Sequence, residues 1–236
     1  MASGKLHAGT SGYSYREWKG AFYPSDLPNS RFLEHYSGVF DTVEINNTFY
    51  RFPSASLLEG WREETPPGFR FAVKANQGIT HKGRLKDVDE LTRDFVERCQ
   101  VLEDKLAAIL FQLPPYLRRD DDRLAAFLDI LTPGTGYAFE FRHESWFDDG
   151  VVEQLRQAGA ALCISEGEKL ESPRAVTADF AYLRLRKGAY EDAELRGWAE
   201  WIEDRLAEGT DVYAYLKHDE AGVSPEYALR LLSGTT

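Results

Sequence analysis

Cysteine is scarce in this chain: two in 236 residues, Cys99 and Cys163. Two thiols cannot build a disulfide framework, and each stands among apolar neighbours, where a buried free thiol is expected. Long apolar runs are absent as well. No stretch approaches the roughly 18 residues of a membrane span, and the opening Met-Ala-Ser-Gly-Lys carries no hydrophobic signal core. No membrane partner is expected, and a reducing, cytoplasmic setting follows. A basic excess is missing too. Lys and Arg total 28 against 39 Asp and Glu, a formal net charge of −11. That balance argues against a broad basic surface for duplex DNA or anionic lipid. It leaves room for a local cationic pocket. Linkers, low-complexity segments and internal repeats are not found. With 43% hydrophobic and 28% charged residues, the chain reads as one soluble globular domain over 1–236.

What is present is a recurring type of segment. Short stretches rich in Val, Ile, Phe and Tyr alternate with longer amphipathic ones. Strands are predicted over 5–10, 41–46, 69–75, 106–112, 137–142, 160–164, 180–185 and 212–216. Helices are predicted over 29–38, 55–63, 88–103, 121–131, 150–158, 191–208 and 224–232. Leu91, Phe95, Val96, Cys99 and Leu102 fall on one helical face. Gly159 and Gly209 stand where helices should stop, and Ser224-Pro225 predicts a capping hydroxyl followed by Pro at the first helical position. Eight strands with helical or loop crossovers and no second core predict an α/β fold, a (β/α)8 TIM-type barrel. The alternative, an open doubly wound sheet, lacks a GxGxxG turn after the first strand.

Parity within the strands carries the functional argument, because alternate side chains face the barrel interior and the helices. The apolar members Val43 and Ile45, Phe71 and Val73, Ile109 and Phe111, Phe139 and Phe141, Leu183 and Leu185, and Val212, Ala214 and Leu216 are expected to face the helices. Glu44, Asn46, Lys74, Gln112, Glu140, Arg142, Tyr182, Arg184, Tyr213, Tyr215 and Lys217 then point inward. The polar ones cluster toward the strand C-termini, where barrel enzymes build their sites. Glu44 is expected to pair with Lys74 and Glu140 with a neighbouring Arg. Four cations against two carboxylates leave a cationic excess. The competing interpretation is a satisfied buried ion network with no ligand.

Several motifs resemble the YecE-like family, known as domain of unknown function 72. They are Gly9-Thr-Ser-Gly-Tyr13, Trp18-Lys-Gly-Ala-Phe-Tyr-Pro24, Val43-Glu-Ile-Asn-Asn-Thr-Phe-Tyr-Arg51, Phe71-Ala-Val-Lys-Ala75 with Ile79-Thr-His81, Leu110-Phe-Gln-Leu-Pro-Pro115, Glu140-Phe-Arg-His-Glu-Ser-Trp146 and Tyr182-Leu-Arg184. The resemblance spans nearly the whole chain. It implies a TIM-type barrel and no established reaction. It marks Glu44, Asn46, Tyr50, Arg51, Lys74, His81, Gln112, Glu140, Arg142, His143, Trp146 and Arg184 as motif positions. Two departures add positive charge at the mouth: Leu185-Arg186-Lys187-Gly188 stands where the family typically has a His-Gly pair, and Leu216-Lys217-His218-Asp219 where it has an Asn-rich turn.

The residues point to an enzyme, a hydrolase or isomerase, acting on an anionic, phosphorylated small molecule. Arg142, Arg184, Lys74 and Lys217, with Arg51 nearby, would bind the anion. The Thr10-Ser11-Gly12 turn would add amides. Glu44 and Glu140 would share acid/base work, with His81 or His143 as accessory. Two carboxylates also suit glycoside hydrolysis, with Tyr13, Tyr15, Trp18, Tyr50 and Trp146 as stacking surfaces. A desolvated Lys74 or Lys217 suits a Schiff base, although a Lys74 paired with Glu44 would stay protonated. The non-catalytic alternative is a nucleic-acid or nucleotide-binding barrel taking a short single strand. No cofactor is expected. A divalent metal at His81, His143 and His218 with Glu44 and Glu140, as in metal-dependent endonuclease or isomerase barrels, is an alternative without HxH, HExxH or CxxC spacing to support it.

Overall fold

A computed structural model describes residues 3–167, 170–217, 219 and 221–234. The strands are β1 (Leu6–Thr10), β2 (Thr42–Ile45), β3 (Arg70–Lys74), β4 (Leu106–Gln112), β5 (Tyr137–Glu140), β6 (Ala161–Glu166), β7 (Phe180–Leu185) and β8 (Asp211–Leu216). The helices are α1 (Phe32–Ser37), α2 (Ala55–Glu64), α3 (Asp89–Cys99), α4 (Asp121–Asp129), α5 (Asp149–Gln157), α6 (Asp192–Ala207) and α7 (Val223–Gly234). Among the described residues a helix covers every crossover except β6 to β7. All ladders are parallel, in the order β1-β8-β7-β6-β5-β4-β3-β2. This is the expected (β/α)8 barrel.

The barrel closes where β1 meets β2. Those strands share one bridge, Ser11 to Glu44, and a helix side chain supplies further pairing. The Tyr36 hydroxyl, from α1, accepts from the Thr10 amide at 2.8 Å and donates to the Thr42 carbonyl at 3.1 Å. Gly9 permits this approach: a Cβ there would lie 2.3 Å from the Thr42 oxygen.

Parity holds around the wall. The predicted helix-facing residues pack with the helices in one continuous core. The interior is filled from unequal sides. β3 to β6 contribute Ala72, Ala108, Ala138 and Ala161, while β7 and β8 contribute Phe180, Tyr182, Tyr213 and Tyr215. Small residues opposite large ones fill a barrel without a void.

Some helix ends differ from expectation. The segment predicted as helix over 88–103 stops as an α-helix at Cys99 and continues as a 3₁₀ segment over Gln100–Lys105, inside which Glu103 takes φ 53°. Residues 29–31 form a 3₁₀ turn ahead of α1. The α7 cap is Asp219, not Ser224: its carboxylate accepts from the Val223 and Ser224 amides at 2.9 and 2.7 Å, while the Ser224 hydroxyl donates to the Lys217 carbonyl. Both cysteines are buried and free. Among the described residues no helix is long and apolar enough to cross a membrane.

Candidate functional site

The inward residues at the strand C-termini form a charged layer on a tyrosine floor. Arg184, at the end of β7, is its centre. Its Nη2 donates to Glu44 Oε1 at 2.8 Å and its Nη1 donates to Glu140 Oε2. One guanidinium thus spans β2 and β5, and all three side chains are at most 2% exposed. A buried charge needs partners, and each carboxylate has several. Glu44 also accepts from Ser11 Oγ at 2.9 Å, Asn46 Nδ2 at 3.1 Å and Tyr182 Oη at 2.8 Å. Glu140 also accepts from Gln112 Nε2 at 2.7 Å and Arg142 Nε at 2.8 Å.

This geometry sets the protonation states. Burial alone would raise both carboxyls, but Arg184 and the hydrogen bonds hold Glu44 below the usual carboxylate range. Arg184 and Arg142 hold Glu140 well below it. Both are therefore ionised, and neither holds a proton to donate near neutral pH. The shared acid/base expectation is corrected to that extent: the carboxylates fix Arg184 and Arg142.

Lys74 is the second correction. Arg184, not Lys74, takes Glu44, and Lys74 makes no ion pair among the described residues. Its Nζ lies 4.3 Å from the centroid of the Phe49 ring. Burial, then repulsion from Arg184, brings its pKa down to about 8. His81 packs edge-on against the same ring, with centroids 4.8 Å apart. Burial, then Lys74 and Arg142, lower its pKa. Its Nδ1 is 3.0 Å from Thr80 Oγ1.

Beside Glu140 opens a cleft of about 370 Å³ whose lining includes Arg142, Arg186, Lys217, Ser165, Ser172 and Phe147. Arg186 and Lys217 make no ion pair among the described residues. The other nearby carboxylates are engaged elsewhere. Glu166 takes Lys187 at 2.8 Å and the Trp198 Nε1–H at 3.1 Å, and Asp219 caps α7. A larger cavity of about 770 Å³ lies at the opposite end of the barrel, with Asp129, Asp179 and Asp211 and no basic side chain in its lining.

The remaining expected site residues are dispersed. Trp146 is buried behind the wall, stacked on Phe141 at 4.7 Å and donating to the Leu117 carbonyl; a stacking role in the mouth is corrected. Tyr215 lies one layer down, its hydroxyl 2.8 Å from Thr42 Oγ1, so it supports the floor. Tyr13 packs toward Tyr36 at 6.1 Å in the aromatic cluster outside the barrel. His143 caps a 3₁₀ turn, its Nδ1 accepting from the Ser145 amide at 3.1 Å. Tyr50 is 75% exposed, and Arg51 is exposed beside it. His218 lies outside the described residues. Among those described, no group of three or more His, Cys, Asp and Glu is placed to hold a metal ion.

Sequence reasoning passed over Ser165 and Phe49, and placed Arg186 at the mouth without making it a site residue. Ser165 lies just beyond the predicted end of the sixth strand. Arg186 follows Arg184 by two residues, so parity carried one step past the strand would have reached it. Phe49 sits in a turn, where parity does not apply.

The family described as "Protein of unknown function DUF72" matches residues 7–235. The chain is 34% identical over 148 residues to the UPF0759 protein YecE of Escherichia coli (strain K12), covering 60% of this chain and 54% of that one. It is 30% identical over 158 residues to the UPF0759 protein YunF of Bacillus subtilis (strain 168), covering 63% and 55%. The matches thus span about half the length of these curated relatives. Among solved structures, a DUF72 family protein from Thermotoga maritima is 29% identical, with a TM-score of 0.84 over 97% of this chain and 98% of that one.

Proposed function

For a chain that belongs to the DUF72 family, whose description assigns no function, we propose an enzyme that acts on an anionic, phosphorylated small molecule at the C-terminal mouth of the barrel. The observation that carries this reading is the leftover charge. Arg184 and Arg142 satisfy Glu44 and Glu140, while Lys74, Arg186 and Lys217 stay without a carboxylate among the described residues. Lys74 and Arg186 are desolvated and gain from an anion what water no longer supplies, while Lys217 stands exposed in the lining of the cleft. Arg142 and Arg186 bind the phosphate, and Arg142 keeps its orientation through Glu140.

Proton movement falls to Lys74 and His81, because their pKa values have moved toward the physiological range from above and downward from the ordinary imidazole value. Isomerisation suits this pair better than hydrolysis, since it needs a proton moved and no water activated by a second carboxylate. Glycoside hydrolysis is disfavoured, since it requires one carboxyl to carry a proton.

Calorimetric titration with inorganic phosphate and with phosphorylated sugars tests the reading. Wild-type protein is expected to bind saturably, and more weakly as salt rises. Arg186→Gln and Arg142→Gln should each lose about tenfold or more, as a charged hydrogen bond of about 1.5–3 kcal/mol implies. Equal affinity in all three proteins refutes it.

A second reading, a barrel that holds a short single strand without catalysis, is favoured by Tyr50 and Tyr116. These are 75% and 65% exposed, and Tyr116 donates to the His81 carbonyl at 3.2 Å. Aromatic platforms beside cations suit base stacking. Short oligonucleotides would then bind more tightly than inorganic phosphate, with a steep salt dependence.

A further inference from the structure

Lys74 has an unusual position for a lysine at the end of a barrel strand. It shares the charged layer with two ionised carboxylates and pairs with neither, because Arg184 lies between them and engages both. Its ammonium is left against the Phe49 ring, near two guanidinium groups that repel it. Protonated lysine is held there by one aromatic face, a contact worth about 0.5–2 kcal/mol, and by the longer-range attraction of Glu140 and Glu44, which burial and the guanidinium groups outweigh. A desolvated amine next to other cations is the setting that favours the free, nucleophilic form. His81 packs edge-on against the same ring, and with Lys74 as the nucleophile it is the group left to accept a proton. Glu140 and Arg142 link this amine to the cationic cleft, since they line the cleft and also lie within electrostatic reach of Lys74.

We infer that Lys74 is a carbonyl-reactive amine, which forms an imine with an aldehyde or ketone group of a substrate whose phosphate is held by Arg142 and Arg186. This rests on the anion-binding reading and specifies its substrate class as a phosphorylated carbonyl compound. In the step, the Nζ lone pair attacks the carbonyl carbon and the π electrons move to oxygen. The nitrogen gives up two protons, the carbon–oxygen bond breaks and the oxygen leaves as water. Nothing is oxidised or reduced.

The contrast with Lys105 clarifies the claim. Lys105 is buried where Lys74 is half-buried, but its Nζ donates to the Arg62 and Thr65 carbonyls, each at 2.6 Å, and to Thr65 Oγ1 at 3.0 Å. Its protons are committed, and it caps the end of α2. Among the described residues Lys74 has no such acceptors.

The test uses pyridoxal 5′-phosphate, an aldehyde bearing a phosphate, followed by borohydride, a hydride donor that reduces the imine to a stable secondary amine. Peptide mass spectrometry then locates the adducts. At pH ~7.5, a lysine of pKa about 8 holds on the order of a hundredfold more free amine than one near 10.4. Lys74 should therefore label well ahead of the surface lysines and of Lys105. Inorganic phosphate should slow it, pyridoxal without phosphate should react more slowly, and Lys74→Arg should abolish the fast adduct.

If phosphate binds by calorimetry but Lys74 labels no faster than surface lysines, the imine is refuted and the anion site stands. If Lys74 labels fast and neither inorganic phosphate nor Arg186→Gln changes the rate, the phosphate half of the substrate class is refuted.

Discussion

Replacing Arg184 by Met isolates the energetics of the charged layer. Arg184 is fully buried and is the only ion-pair partner of Glu44 among the described residues, whereas Glu140 keeps Arg142. The substitution therefore strands one carboxylate. Ser11, Asn46 and Tyr182 still donate to it, but all are neutral. Breaking a buried pair in this way costs about 3–5 kcal/mol. For a chain of this size that is a fall in Tm of roughly 6–20 °C. The pH dependence should change sign as well. In the wild type, Glu44 and Glu140 titrate below their unfolded values near 4.3; their contribution is present above that pH and is lost as pH falls through the folded values. In the variant, burial acts on Glu44 without an ion-pair partner and raises its pKa. The folded state then binds the extra proton, and stability rises as pH falls from about 7 toward 5. Urea unfolding across that range measures both effects. Adding Glu44→Gln to Arg184→Met should recover much of the loss. A loss below about 1 kcal/mol, or a variant whose slope matches the wild type, refutes the account of the layer.

Three further outcomes follow from the same geometry. Tyr36→Phe leaves the Thr10 amide and Thr42 carbonyl unpaired where β1 meets β2, and should cost about 1–3 kcal/mol per group in urea unfolding; a cost near zero means that the strands pair without it. Trp146→Phe should lower Tm through loss of the hydrogen bond to Leu117 while leaving phosphate affinity within about twofold; a tenfold loss would return Trp146 to the mouth. Lys74 titrates below its unfolded value, so between about 8 and ~10.4 the unfolded chain binds more protons and stability should rise with pH; Lys74→Met should flatten that rise, measured by chemical unfolding.

The barrel was legible because its strands alternate so cleanly. Residues 106–112 and 180–185 match β4 and β7 to the residue, and the parity of Glu44, Gln112, Glu140 and Arg184 followed from counting by two. What could not be counted was reach. Neighbouring strands suggested Glu44 with Lys74, yet Arg184 extends across the interior from β7 to β2. The helix predicted to 103 gave way to a 3₁₀ segment after Cys99, and Glu103 within it takes a positive φ that its residue type does not announce. Trp146 and Tyr13 sit in turns, where no period says which way a ring faces. Tyr215 had the right parity and the wrong depth, two residues below Lys217.

The carboxylate that caps α7 has a consequence for the orientation of any bound molecule. The start of a helix beside the last strands of a barrel is a natural seat for a phosphate. Here Asp219 already fills that seat, four and five residues from the amides it holds. So short a tether gives the occupant an effective concentration on the order of millimolar or more. A free phosphate entering this corner meets a resident competitor that never diffuses away. On the proposed reading, the negative end of a ligand is turned instead toward Arg142 and Arg186, and its polarity across the mouth is set by a residue it need not touch.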